Sequence, residues 1–238
     1  MNDSFYIQSV NSTNILLAKL LHESDFPEGF VVCANFQTMG RGQQGNSWES
    51  EKNKNLLFSL LLYPKHIPIN EQFLISQIVS IGIKRVLDKY ADNISIKWPN
   101  DIFWNDRKIA GILIENSLQG NCIKNSIVGI GLNVNQIAFQ HAPNAVSLKQ
   151  ITKKSCSRKK ILQEIRENIL DIHHCQDAET IRTEYMQMLH RKSGYFSYSA
   201  QNENFEAKIT QIYPDGRLEL QDRTGKKRSF YFKEVKFA

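Results

Sequence analysis

Apolar residues along this chain fall into helical and strand rhythms that alternate in blocks. Residues 11–23 (NSTNILLAKLLHE) have helical spacing, with Ser12 or Thr13 placed to cap the first turn and Ile15, Leu16, Leu20 and Leu21 available for burial. Residues 30–36 (FVVCANF) read as a strand, and residues 56–63 (LLFSLLLY) as a short strand buried on both faces. The polar stretch between them, residues 46–55, has no apolar stripe and reads as a loop. A second helix is expected near residues 71–90. From 94 to 131 the pattern predicts short strands in a largely sequential sheet, broken at Pro99, at Asn105-Asp106 and at Gly120-Asn121. Helical spacing returns over 158–172 and 177–190, most clearly in Ile161, Ile165, Ile169 and Ile172. Beyond Gly194 the segments FEAKITQIY, RLELQD and RSFYF, joined by Pro214-Asp215-Gly216 and Thr224-Gly225 turns, predict a small β-barrel. The expected organisation is an α/β (α+β) domain over 1–190 and a barrel domain over 191–238.

Composition narrows this picture without redirecting it. The 238 residues are 41% hydrophobic, enough for a sizeable core. No run approaches the roughly 18 apolar residues of a membrane helix, and the start MNDSFYIQSVNS does not look like an export signal. A soluble, cytoplasmic protein with no membrane partner is expected. Cys33, Cys122, Cys156 and Cys175 are far apart and suggest neither a disulfide framework nor a zinc site. His173-His174-Cys175 could bind metal, but neighbouring histidines on a helix point to different faces, so the run reads as an exposed helix end. The net charge of +6 is concentrated in Lys149, Lys153, Lys154, Arg158, Lys159 and Lys160. That segment lacks interleaved aromatics, so a solvated face or an acidic protein partner is favoured over nucleic acid.

Three short motifs carry candidate chemistry. Residues 40–45 (GRGQQG) match the spelling of a dinucleotide fingerprint, but they lie between two strands and not between a strand and a helix, so a nicotinamide site is set aside. A glycine loop with Arg41 at its centre suits an anion equally as it suits a surface turn. Residues 97–101 (KWPND) place Lys97 and Asp101 on either side of a proline turn, and Lys108 follows in RKIAG. Two lysines and a carboxylate around one hairpin make a charged constellation, although a plain proline turn has the same spelling. Residues 129–135 (GIGLNVN) follow a strand and could line a pocket or form a turn.

In this order and spacing, Ser12-Thr13-Asn14, GRGQQGNSW, KWPNDIFWNDRKIAGILIE and GIGLNVN closely resemble the catalytic domain of biotin protein ligases. The final barrel with Lys233-Glu234-Val235 is similar to that family's C-terminal SH3-like domain. The resemblance implies a mixed-sheet fold related to class II aminoacyl-tRNA synthetases. It implies ligation of biotin, through biotinyl-5′-AMP, to a lysine of a carboxylase's biotin carboxyl carrier domain, with ATP and Mg2+ as cofactors. By the same resemblance Arg41, Lys108, Lys97 and Asp101 are the catalytic candidates, with Asp101 also the magnesium ligand. The biotin positions are Ser12, Thr13, Asn14, Gln37, Arg41, Gly42, Gln43, Trp48, Lys108, Gly111, Ile112 and Leu113. The nucleotide positions are Arg41, Trp48, Lys97, Asn100, Asn133 and Asn135, and residues 136–148 resemble the segment that closes over the adenylate.

The residue types suit that reaction. A carboxylate attacking a phosphate needs two anions brought together and spreading negative charge stabilised, which cations do. Two departures from the family pattern stand out. Gln43 and Gln44 occupy places where the family usually has arginine, which predicts weaker retention of the adenylate. The Ser-Thr-Asn motif arrives by residue 12, which leaves no room for the N-terminal DNA-binding domain of some members, so neither repression nor specific DNA binding is expected. Lipoate or octanoate transfer is the nearest rival, a nucleic-acid-binding module a distant one, and a homodimer stays open.

Overall fold

The computed structural model describes residues 3–238. Its main sheet contains β1 (Ser4–Ile7), β2 (Val31–Ala34), β3 (Leu56–Leu62), β4 (Ile94–Lys97), β5 (Asp101–Trp104), β6 (Arg107–Gln119) and β7 (Cys122–Leu132). The spatial order is β1-β2-β3-β7-β6-β5-β4. The β1 and β2 pair is parallel and every other neighbouring pair is antiparallel, so the sheet is mixed. From β4 to β7 the strands follow one another directly and turn where the proline, Asn-Asp and Gly-Asn breaks predict. The strands β6 and β7 are longer than expected, at 13 and 11 residues. The β1 strand has no counterpart in the sequence reading. It is a four-residue edge strand in which adjacent Phe5 and Tyr6 are both exposed, so it shows no alternation.

The helices are α1 (Thr13–Glu23), α2 (Phe73–Leu87), α3 (Leu148–Thr152), α4 (Arg158–Cys175) and α5 (Ala178–Gln187). Every residue of β3 is buried, because both faces of the central strand are covered. Leu56, Phe58, Leu60 and Leu62 join the large core with side chains of α2 and α4, including all four isoleucines of the α4 stripe. Leu61, Val32 and Ile127 form a second core with Leu17, under α1. The inward face of α1 differs from the one expected: Thr13, Asn14 and Leu17 are buried, Leu16, Leu20 and Leu21 are half-buried, and Ile15 is 47% exposed. Two polar side chains point inward because partners elsewhere in the chain satisfy them.

The C-terminal segment forms a five-stranded antiparallel sheet from β8 (Phe196–Ala200), β9 (Glu203–Ile212), β10 (Leu218–Asp222), β11 (Lys227–Phe230) and β12 (Lys236–Phe237), in the order β11-β10-β9-β8-β12. It packs on the main body through the KWPND turn, whose Trp98–Pro99 peptide is cis. The Trp98 indole N–H donates to the carbonyl of Gly216 at 2.9 Å, and its ring meets Phe232 at 5.4 Å between centroids. One continuous apolar core therefore spans the two parts.

Inside this sheet Glu219 is almost fully buried and accepts hydrogen bonds from the hydroxyls of Tyr213 and Thr210 at 2.6 and 2.7 Å, with Lys227 at 2.9 Å. The hydroxyl bonds and the ammonium hold its carboxyl down at about 2, from an ordinary 4.5. A depressed folded-state value means stability fully present above about 4.5 and lost as the pH falls toward 2. Replacing Glu219→Gln is expected to cost about 2 kcal/mol at neutral pH and to flatten the acid limb of the melting curve. An unchanged acid limb in thermal melts from pH 7 to 3 would refute this role.

Candidate functional site

The site lies on the α1 side of the sheet and begins with three glycines. Gly111 and Gly131 are cross-strand partners on β6 and β7, and Gly129 is two residues from Gly131 on the same face. A Cβ at Gly131 would lie 2.5 Å from Cε2 of Trp48, and one at Gly111 would lie 2.9 Å from its Cζ3. The missing side chains thus form the slot in which the indole lies. At Gly129 a Cβ would come within 2.4 Å of Oδ1 of Asn14, so that glycine admits the first turn of α1. Gly111 also lines the first chamber, so its missing side chain makes room for Trp48 beside the space expected for a ligand.

The first turn of α1 is tied down by side chains from distant parts of the chain. Gln37 accepts bonds from the backbone N–H and hydroxyl of Thr13 at 2.8 and 3.1 Å. This caps the helix from outside, and the Ser12 side chain makes no cap bond. Ser59, from β3, lies 2.8 Å from the Thr13 hydroxyl and 2.6 Å from Oδ1 of Asn14, whose amide donates to Glu115 at 2.7 Å. Glu115 also receives Arg41 at 3.2 Å. The arginine loop folds back on itself through an Arg41–Ser47 bridge and a bond from Gly42 N–H to Asn46 O, around a 3-10 turn at Gln43–Gly45. The side chain of Gln44 lies outside the described residues.

The charged constellation assembles at the β5–β6 hairpin. Lys108 Nζ lies 2.6 Å from Asp101 and 5.6 Å from the centre of the Trp48 ring. Lys97 pairs across from Asp101 in the β4–β5 ladder, but its ammonium lies over Phe103 and Phe237, at 4.6 and 5.2 Å. Burial pulls the Lys97 pKa below the usual lysine range, against the opposing pull of Asp101.

Two chambers of similar size, about 240 and 220 Å³, meet here. The first is lined by Ser12, Thr13, Asn14, Gln37, Arg41 and the other biotin candidates, together with Asn100, Asp101 and Lys233. Three cations and one acid face it. The second is more apolar and is lined by Phe103, Asn133, Phe139, Ala142, Pro143 and Ala145, among others. Ser47, Trp48 and Lys108 line both chambers. Much of the wall of the second comes from residues 136–148, whose final part is docked: Lys108 N–H donates to Asn144 O, Val146 N–H to Lys108 O, and residues 145–148 are buried.

Most residues singled out from the sequence converge here, but Asn135 and Lys97 do not, and Asn100 also has a structural role. Asn135 stands outside both chambers, its carboxamide bridging to the backbone of Cys156. Lys97 lies behind Asp101 and does not line either chamber. Asn100 lines the first chamber, but its amide donates to Ile112 O and pins the KWPND turn to β6. Asn133 is buried in the second chamber's wall, and its Oδ1 has no hydrogen-bond partner.

Sequence reading missed Glu115, Ser59 and Lys233. For Glu115 a signal existed, since Gly111, Leu113 and Glu115 occupy one face of β6 opposite the glycines of β7. In the basic segment, Arg158 is committed to Asn55 O, and Lys153, Lys154, Lys159 and Lys160 are exposed. The expectation for His173-His174 is corrected. His173 is buried, and both imidazoles reach the same carboxylate, that of Glu28.

Residues 6–133 match the model of the biotin/lipoate A/B protein ligase family. The chain is 31% identical over 170 residues to the bifunctional ligase/repressor BirA of Bacillus spizizenii, covering 69% of this chain and 52% of that protein. It is 29% identical over 163 residues to the biotin--[acetyl-CoA-carboxylase] ligase of Mycobacterium tuberculosis, covering 65% of this chain and 58% of the other. The chain thus spans about half the length of the curated relatives it matches. Among solved structures, a biotin protein ligase from Aquifex aeolicus in complex with biotin and ATP superposes over 100% of both chains with a TM-score of 0.77 at 23% identity. One from Leishmania major in complex with biotinyl-5-AMP covers 97% of this chain and 99% of its own, with a TM-score of 0.69 at 21% identity. These two likenesses are of fold.

Proposed function

We propose that this chain, which belongs to the biotin/lipoate A/B protein ligase family, uses ATP to activate biotin and transfers the biotinyl group to a lysine of a carboxylase's biotin carrier domain. The observation that carries the reading is the meeting of two chambers at Lys108. Adenylation brings a carboxylate to the α-phosphorus of ATP, so the two ligands must arrive from separate spaces and meet beside a cation. In the first chamber Ser12, Thr13 and Gln37 offer polar partners for the urea of biotin, within walls from Trp48, Ile112 and Leu113. The nucleotide base belongs in the second, more apolar chamber, walled by Phe103, Phe139, Pro143 and Asn133.

At the junction Lys108 neutralises the charge that builds as the carboxylate oxygen bonds to phosphorus and pyrophosphate leaves, with Asp101 holding the ammonium in place. Arg41 supplies a forked contact to the same anions. The acceptor lysine amine then attacks the acyl carbon and AMP departs. A single carboxylate in the chamber lining fits a magnesium held mainly by substrate phosphates, and Asp101 is the residue that would hold it, the ion supplying further charge neutralisation.

Carrier loading tests the substrate. With Mg-ATP and an apo carrier domain, labelled biotin should be transferred and labelled lipoate should not, and transfer of lipoate alone would overturn the substrate assignment. Two variants probe the arginine loop. Glu115→Gln removes the ion pair that Arg41 must leave to meet a ligand, so the biotin Kd is expected to fall about 2- to 5-fold, the size of an exposed pair. A weaker Kd would show that Glu115 positions the arginine and does not compete for it. Gln43→Arg is expected to slow escape of biotinyl-AMP in a retention assay, and unchanged escape would remove Gln43 from the ligand-holding set.

A further inference from the structure

We propose that Glu28, His173 and His174 form a site for a zinc-class divalent cation that clips the C-terminus of α4 to the loop entering β2. The three residues share no lining position with either chamber. Glu28 Oε1 lies 3.2 Å from Nε2 of His173, and Oε2 lies 2.7 Å from Nε2 of His174. All three donor atoms fit within 4.8 Å of one another. Donors around a tetrahedral zinc stand roughly 3.4 Å apart, so small rotations of these side chains would admit the ion. Among the described residues no other three such side chains bring their donors together in this way.

The surroundings favour a cation and hold the ligands rigidly. Both histidines lie in the last turn of α4, where the unpaired carbonyls give the helix end a partial negative charge. Glu28 is oriented by the Tyr63 backbone N–H, which donates to Oε1 at 2.6 Å. Its neighbour Gly29 packs so closely on α4 that a Cβ there would lie 2.8 Å from Leu170, and Arg166 of α4 donates to the Gly29 carbonyl at 2.6 Å. The loop and the helix end are thus fixed against each other before any ion arrives, and the His173 imidazole is almost fully buried between them. A fourth donor is at hand in His66, exposed on the turn after β3, whose ring centre lies 4.8 Å from that of His173. Two or three imidazoles with one carboxylate select a borderline transition ion such as Zn2+, and not Mg2+ or Ca2+, which prefer oxygen.

The test uses the full chain without an affinity tag, stripped with a chelator and then titrated with Zn2+ by calorimetry and with Co2+ by visible absorption. One Zn2+ per chain, cobalt d–d bands of low-symmetry coordination and a Tm raised by Zn2+ are expected. His174→Ala, at an exposed position, and Glu28→Gln should each weaken Zn2+ binding by at least about tenfold, while His22→Ala leaves it unchanged. Absence of Zn2+ binding, or equal affinity in the wild type and both site variants, would overturn the proposal and leave the cluster as a hydrogen-bonded clamp. Because the readout is metal binding, the result is independent of the ligase assignment.

Discussion

Lys108→Ala is expected to lower kcat/KM for biotin-dependent pyrophosphate release by roughly 10²–10³, while the protein melts at nearly the wild-type temperature. The two halves of that expectation rest on different atoms of the residue. The backbone of Lys108 carries the loop contacts, through Asn144 O and Val146 N, and alanine keeps them. The side chain carries the charge shared by the two chambers, and alanine removes it. Asp101, left without its partner at 2.6 Å, still reaches solvent, so no deeply buried charge is stranded. Lys108→Arg should rescue poorly, because a planar guanidinium does not fit where a point charge lies between Asp101 and the face of Trp48. A Lys108→Ala enzyme with more than about a tenth of wild-type turnover would remove Lys108 from the chemistry.

Gly131→Val should be as damaging by a steric route. Its Cβ would start 2.5 Å from Trp48, inside the slot that Gly131 and its cross-strand partner Gly111 together leave for the indole. The ring must leave the boundary between the chambers. We expect the biotin Kd to rise on the order of 100-fold, since a misplacement of about 1 Å at a binding wall has effects of that size. Overpacking adds about 1–3 kcal/mol of lost stability, seen in denaturant unfolding. A shifted tryptophan emission would report the displaced ring. Wild-type affinity with unchanged emission would show that Trp48 does not form the wall.

What was legible in the sequence follows from how local each signal is. The strands from β4 to β7 were readable because Pro99, Asn105-Asp106 and Gly120-Asn121 punctuate them within a few residues. The central strand β3 was readable because burial on both faces leaves an unbroken apolar run. By contrast, the inward face of α1 could not be deduced from periodicity, since Thr13 and Asn14 are satisfied by Gln37, Ser59 and Glu115, which lie 24 to 101 residues away. Edge strand β1 was missed because parallel pairing, and not a core-facing pattern, holds it.

The candidate site shows the same division. Arg41, Lys108, Asp101 and Trp48 were found through motifs, and the cavity brings all four together. Glu115 and Lys233 stand in quoted motifs but had no expected role in the site, because only the tertiary fold brings them to the cavity region. Asn135 shares the GIGLNVN motif with Asn133, yet adjacent turns send one to the chamber and the other to Cys156. The histidine pair failed for a related reason. Helical geometry separates the two rings, but the two oxygens of one carboxylate are far enough apart to meet both.

The central claim is that the two chambers bring biotin and ATP together at Lys108. Calorimetry of biotin with the purified chain, followed in the same sample by pyrophosphate release on adding Mg-ATP, tests it most directly. The account predicts saturable biotin binding and pyrophosphate release that depends on biotin and is lost in Lys108→Ala. Release that ignores biotin, or that responds only to lipoate or octanoate, would contradict it.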